Sequence, residues 1–444
     1  MYRIISSLFV VTLFAFCPAI ILADTFSLQS PNGINTLKIS VEDQLRYEIG
    51  YQGKTVLSPS KLGLKFRGEA PYGKFKVVDS RTETVNQTWD NPWGRKRTYV
   101  DHFNGLTLKL QEIEEPHRTL GLECRAYDDG VAFRYVLDEK SVKQQTYILE
   151  QDETQFNFPN DPYGWFADFG SFRTSQEREF LKNRLSTIEP GAYIGCPLVV
   201  QTSADGPYLA FSEADLRNWG GMYFDSQPVR ERKTAFESGL MKKGETAKSF
   251  RVPLDGIQLL SLQCDGGTDG ISFDHVDWVD LQLIDKNGKV TDLTTLKPTL
   301  MTQGYGTTLL NKSITESELS IAGEKYETGF GTHASGKIVF SLDQEYAFLQ
   351  GAVGHDDAAE RSGSIRAWIQ TLPKLEKAQL QVRLAPRLDR KGLAETTVPG
   401  TSPWRVAIIA PKAINLGDNS IILNLAEPAD SKVDWSWVEP GIAP

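Results

Sequence analysis

The stretch Arg125-Ala-Tyr-Asp-Asp-Gly-Val-Ala-Phe-Arg-Tyr135 decides the fold class. Val131, Phe133 and Tyr135 recur with a period of two, which places three apolar side chains on one face of a strand. Asp128-Asp-Gly130 ahead of them is a turn signal. Outward from this segment the same period recurs in Leu37, Ile39 and Val41, in Leu45, Tyr47, Ile49 and Tyr51, and in Leu106, Leu108 and Leu110. Pro31-Asn-Gly33 and Gln52-Gly53 interrupt the strands at short intervals. Short alternating strands divided by such turns predict an all-β sandwich. The best helical candidate runs from Thr174 to about Ile188, with Thr174 and Glu177 as a capping box.

With 444 residues the chain is long enough for two domains of ordinary size. Arg3 followed by the apolar run Ile4 to Leu22, closed by Ala23-Asp24, reads as a signal peptide over residues 1–23. Pro18 and the missing basic flank argue against a membrane anchor. Bulky Phe16 ahead of Cys17 argues against a lipid-modified cysteine. The expectation is a secreted or periplasmic product. Its net charge of −9, one unit more negative without Arg3, is spread along the chain. That balance argues against nucleic acid or an anionic membrane as partner and suits neutral glycans. Cys124, Cys196 and Cys264 remain, an odd number without C-x-x-C spacing. Neither a disulfide framework nor a thiolate zinc site is indicated, and buried free thiols are expected. There is no G-x-S-x-G, H-E-x-x-H, phosphate loop or dinucleotide fingerprint.

Four segments carry a family resemblance: Arg125–Tyr135 itself, Ser212-Glu-Ala-Asp-Leu216, Ser402-Pro-Trp-Arg-Val-Ala-Ile-Ile-Ala410 and Asp434-Trp-Ser-Trp-Val-Glu-Pro-Gly441. Together they resemble the N-terminal domain of glycoside hydrolase family 97, a family of retaining and inverting α-glucosidases and α-galactosidases. The last two segments look like the seam where its β-domain meets a catalytic barrel, and the barrel is absent from this sequence. The resemblance implies a mutarotase-like β-sandwich.

From about Leu254 the character changes. Cys264-Asp-Gly-Gly-Thr-Asp-Gly270, Phe273-Asp-His-Val-Asp-Trp278, Tyr326-Glu-Thr-Gly-Phe-Gly-Thr-His-Ala334 and Val353-Gly-His-Asp-Asp357 resemble the NPCBM family of carbohydrate-binding modules. This implies an inserted β-jelly-roll, galactose-binding-like module over residues 255–374. The first domain then comprises 24–254 and 375–444, an insertion made easy by chain ends that lie close together.

The family 97 resemblance implies one glutamate reaching toward an active-site calcium, and Glu213 is the matching position. A lone glutamate cannot hold calcium, so its partners would belong to a barrel. Read from spacing alone, Ser212 and Asp215 would cap a turn around an exposed Glu213. Asp265, Asp269 and Asp274, with His275 and Asp277 beside them, are candidates for a structural calcium, though Gly267 stands where an EF-hand needs a ligand and no glutamate closes the loop. Carboxylates bonding their own turn amides are the alternative. For sugar binding, Trp278 would offer a ring while Asp277, His333, Asp356 and Asp357 offer polar groups. The alternative makes Trp278 and Trp368 core residues and His333 a buried structural histidine. His102 and His117 read as surface residues, and Asp128-Asp129 and Asp356-Asp357 as turn carboxylates. Trp404, Trp435 and Trp437 are expected to pack an interdomain surface. The catalytic carboxylate pair of the family has no counterpart here, so no catalytic residue is assigned.

The sequence therefore points to a carbohydrate-binding, glycosidase-associated protein without hydrolytic activity of its own, with an α-linked oligosaccharide or polysaccharide as ligand and a catalytic barrel as partner. Two rivals stand beside this reading. One is an active hydrolase using sandwich carboxylates or a barrel supplied in trans. The other is an adhesion or assembly protein docking through its tryptophan-rich seam.

Overall fold

A computed structural model describes residues 24–93, 97–137, 146–217, 219–227, 232–267, 270–342, 344–361, 363–384, 394–397, 400–415 and 421–424. Among these the regular structure is strand, apart from two single-turn 3-10 segments, Leu185–Thr187 and Leu293–Thr295. The expected signal segment, Cys17, Asp269, Trp435 and Trp437 lie outside the described residues. No helix of the described residues is long and apolar enough to cross a membrane.

The first sandwich pairs two sheets. One runs Asp24–Gln29, Asn35–Val41, Leu45–Tyr51, Lys54–Lys61, Gln155–Asn157, Gln379–Leu384, Met222–Gln227, neighbour to neighbour. The other has ten strands, in the order Leu181–Arg184, Tyr163–Phe166, Leu198–Gln201, Tyr208–Ala214, Trp404–Ala410, Gly130–Leu137, Thr119–Tyr127, Thr98–Glu112, Phe75–Asp90, with Gly400–Thr401 attached to Gly130–Leu137. The period-two residues are the ones that meet between the sheets. Leu37, Ile39 and Tyr47 share one core with Leu108, Leu122, Phe133 and Tyr135, and the Tyr47 and Phe133 rings lie 4.8 Å apart. Each such side chain contributes about 1.5–3 kcal/mol on full burial.

The chain leaves this sandwich after Met222–Gln227 and returns in Gln379–Leu384, and those two strands are antiparallel neighbours from Met222↔Leu384 to Gln227↔Gln379. The intervening segment thus occupies the place of a hairpin turn, so the host sheet keeps its ladder. It builds a second sandwich. One sheet is Lys233–Lys242, Ser364–Pro373, Ile257–Asp265, Gly336–Ser341, Leu300–Thr302; the other is Lys248–Pro253, Phe348–His355, His275–Ile284, Gly329–His333, Leu309–Leu310, with Val290–Asp292 beside His275–Ile284. Leu260, Leu262, Phe340 and Ile369 of the first pack with Trp278, Leu281, Leu283 and Val353 of the second. The boundary expected at 255 is corrected: Lys233–Lys242 and Lys248–Pro253 pair with Ser364–Pro373 and Phe348–His355, so both belong to the insert. Glu189 joins the two sandwiches, accepting from Lys337 Nζ and Arg232 Nη2 at 2.6 Å each. Gln258 Nε2 adds a bond to Asp161 Oδ2 at 3.0 Å.

The helix expected over Thr174–Ile188 does not form. Thr174 Oγ1 accepts from Gln176 N and Ser175 Oγ from Glu177 N, two local side-chain turns in place of a capping box. Gln176 has a φ of 59°, incompatible with a right-handed helix. Leu181–Arg184 is then captured as a strand by Tyr163–Phe166.

Candidate functional site

Strand Tyr208–Ala214 turns Leu209 and Phe211 into the core, and Glu213 continues that row at the strand end. Its antiparallel partner places Arg405 directly opposite. Arg405, 1% exposed, donates through Nη1 to Glu213 Oε1 and through Nη2 to the fully buried Asp152 Oδ2 at 2.7 Å. The second Glu213 oxygen accepts from Met222 N at 2.7 Å. Glu213 is therefore not the exposed residue of a turn cap. Within this chain its carboxylate is already neutralised by a guanidinium, which a cation would have to displace, so the donors present do not make a calcium site. The second calcium candidate also lacks convergence. Asp265 Oδ1 accepts from Gly267 N at 3.1 Å and lies 3.8 Å from Arg366 Nε, while Asp274 Oδ1 accepts from Ser364 N at 3.0 Å. Among the described residues no group of three or more His, Cys, Asp or Glu side chains could hold a metal ion.

In the insert, the residues expected to bind sugar are brought together but turned inward. Trp278 is 1% exposed and packs against Phe250 with ring centroids 6.1 Å apart, so it offers no face to a pyranose. Trp368, expected in the core, stands half-buried on the outward side of its strand, between Ala367 and Ile369 that point in. Trp278 thus takes the core alternative and Trp368 does not, because strand parity selects the inward face. Register sets His275 opposite His333 and Val276 opposite His355. The His275 and His333 rings lie 5.4 Å apart, and His275 Nδ1 is 3.8 Å from Asp356 Oδ2. His333 Nδ1 meets Ala334 O at 2.6 Å. Asp356, fully buried, accepts from Ser313 Oγ and from Ala358 N at 2.8 Å. Asp357 accepts from Ala322 N and Gly323 N, tying down a turn. Asp277 is fully buried; Oδ2 accepts from Ser320 N at 3.1 Å, whereas Oδ1 has no protein partner. Burial, then the neighbouring Asp356, pushes the Asp277 carboxyl well above its ordinary range, and burial holds His275 and His355 below theirs. Desolvation thus favours the neutral forms of Asp277, His275 and His355.

The first sandwich does present a groove, on the outer face of its ten-stranded sheet. A cavity of about 220 Å³ is lined by Arg125, Tyr127, Asp129, Ala132, Ala214, Trp404, Val406 and Ile408, among others. Arg125 and Arg134 each lie 4.4 Å from the Trp404 ring centroid, and Arg125 also covers Phe103 at 4.4 Å. Cations over rings of this kind contribute about 0.5–2 kcal/mol. Asp129 is the lone carboxylate in the lining. It was expected to be a solvated turn residue; instead it is half-buried, and burial first, then Asp128, raise its carboxyl above the usual value. The groove escaped the sequence reading because its members come from strands nearly 300 residues apart; Arg125 and Tyr127 at i and i+2, and Arg134 between the core-facing Phe133 and Tyr135, were the available signal. Cys124, Cys196 and Cys264 are free, and burial pushes the Cys196 thiol up to about 12 and the Cys264 thiol to about 11.

A retaining α-galactosidase of Bacteroides thetaiotaomicron is 27% identical over 228 residues, covering 49% of this chain and 33% of that protein. A probable retaining α-galactosidase of Streptomyces bingchenggensis is 24% identical, covering 51% and 34%. The chain thus matches about a third of the length of these relatives. Among solved structures, a glycoside hydrolase family 97 enzyme of Pseudoalteromonas in complex with acarbose has a TM-score of 0.42 at 24% identity, covering 46% of this chain and 30% of that one. A beta-arabinopyranosidase has a TM-score of 0.43 at 13% identity, covering 87% and 40%. The model of the family described as Glycosyl-hydrolase 97 N-terminal matches residues 28–428, and the chain belongs to that family.

Proposed function

We propose that this chain is a secreted, carbohydrate-binding partner of a glycosidase, recognising an α-linked glycan without hydrolysing it alone. The observation that carries the reading is the groove with its single carboxylate, Asp129. Glycoside cleavage ordinarily uses two carboxyl groups flanking the bond, one protonated. Asp129 has the raised carboxyl of an acid but no carboxylate partner among the described residues of that lining; Asp152 and Glu213 are both occupied by Arg405, and Glu123 and Asp215 both lie beside Arg134. A groove of arginine, tyrosine and tryptophan with one acid suits holding a sugar. The relatives' names support an α-galactoside as the glycan. We read the insert as an NPCBM-type module, and Glu213 as a position that ligates calcium only when a catalytic domain supplies further oxygens and draws it from Arg405.

The test is calorimetric titration of the purified chain with α-galacto- and α-gluco-oligosaccharides while released reducing sugar is assayed. Binding without release is expected. Release that disappears in Asp129→Asn would replace this reading with hydrolysis on the sandwich face.

A further inference from the structure

The longest hairpin among the described residues projects beyond its sheet. Phe75–Asp90 and Thr98–Glu112 stay paired out to Asp90↔Thr98, but the next strand, Thr119–Tyr127, stops pairing at Phe103↔Tyr127. Five residues on each side therefore continue as a bare two-stranded arm, roughly 17 Å long at the usual rise per residue. The arm carries aromatic rings in water. Trp89 is 51% and Trp93 82% exposed, and Trp89 stacks on Tyr99 at 4.8 Å with 17° between the planes.

Register places Trp89, Gln87 and Val85 on the same face as Tyr99, Asp101 and Phe103, and that face continues through Tyr127 to the groove beside Trp404. A chain of polar groups links the two ends. Gln87 Nε2 donates to Asp101 Oδ2 at 3.2 Å, Tyr127 Oη donates to Asp101 Oδ1 at 3.3 Å, and Arg125 Nη1 donates to Tyr127 Oη at 3.2 Å. Arg125 in turn covers Trp404.

We propose that this face is one extended site for a neutral oligosaccharide, with a pyranose ring stacked on the Trp89–Tyr99 platform, hydroxyls of the following units on Gln87, Asp101 and Tyr127, and the far end in the groove. This rests on the carbohydrate-binding reading above and names where the binding happens. A flat ring flanked by amide, carboxylate and phenol matches a pyranose, which has an apolar face and a polar edge. A protein partner would call for aliphatic area, and Val85 is the one aliphatic side chain in that row. Carboxylate and guanidinium alternate along it, so a charged ligand gains nothing over a neutral one.

The test is titration of the full chain with α-galacto- and α-gluco-oligosaccharides of increasing length, followed by calorimetry and tryptophan fluorescence. Affinity is expected to rise with length. Trp89→Ala and Asp101→Asn, both in solvent-facing positions and checked for an unchanged melting transition, should each weaken the longest ligand tenfold or more. Tyr305→Ala on the insert should leave it unchanged. A cross-strand aromatic pair serving only to brace the hairpin would leave affinity where it was, and that result overturns the extended site. Binding that moves only with Tyr305→Ala overturns the site while the carbohydrate reading stands. No binding by any of these oligosaccharides overturns both.

Discussion

The two sandwiches bury charge-bearing groups at a sheet end in opposite ways. In the first, Arg405 is enclosed between Asp152 and Glu213, so a full charge is kept inside by direct pairing. In the second, three histidines share a sheet end with Asp277 and Asp356, no lysine or arginine among the described residues forms a salt bridge with either carboxylate, and burial shifts Asp277, His275 and His355 toward their neutral forms. Pairing resists changes of pH but depends on every partner being present. Neutralisation tolerates the loss of one member but responds to protons. The insert should therefore be the acid-sensitive half and the host the half most vulnerable to a single substitution.

The largest effect is expected from Arg405→Met. It strands two carboxylates, one fully buried, and should lower the stability of the first sandwich by about 3–5 kcal/mol in a denaturant titration. Replacing Asp152 and Glu213 by Leu and Gln in the same chain should recover most of that loss; if it does not, the cluster holds geometry that pairing alone does not explain.

Next in size is acidification. Below the ordinary histidine value of 6.5 the unfolded chain takes up protons that folded His275 and His355 resist. Stability is thus fully present above that value and is lost as pH falls toward the depressed folded values. Besides burial, Asp356 raises the His275 value while His333, His355 and Lys243 lower it. Because acidification also relieves the Asp277 penalty, the histidine effect is read in the Asp277→Asn variant, whose insert transition should move down in scanning calorimetry from pH 7 to 5 while the host's stays in place. Equal movement of both would break the contrast.

Asp277→Asn works in the other direction. The folded carboxyl is raised above 3.8, so its contribution is unfavourable at neutral pH and vanishes below 3.8, where both states are protonated. The variant should melt higher than the parent at pH 7 and equally at pH 3. The smallest effect concerns calcium: because Glu213 is satisfied by Arg405, millimolar calcium or a chelator should leave the melting temperature of the isolated chain within error. A rise of several degrees would mean a ligand set that the Arg405 pairing does not reveal.

Much of the fold was legible as alternation. The apolar sets read with a period of two lie in the core, with Tyr51 partly buried against it, because burial on one sheet face needs nothing but parity. The expected helix at Thr174–Ile188 was lost to Gln176 and to a neighbouring strand, neither visible in local spacing. The insert boundary was missed because Lys233–Lys242 pairs with Ser364–Pro373, more than a hundred residues on. Trp278 and Trp368 differ by which way their strand faces, so composition alone could not separate a core ring from a surface one.

The sequence by itself determined an all-β chain of a glycosidase-related family with an inserted second unit, since periodicity and local motifs survive without knowledge of partners. Tertiary structure decided which charges meet. Glu213 and Arg405 stand 192 residues apart and become direct cross-strand neighbours, and Arg125 and Trp404 come from strands still further apart in the chain. Pairing across a sheet is set by topology, and a linear pattern carries no record of which strand will lie beside which.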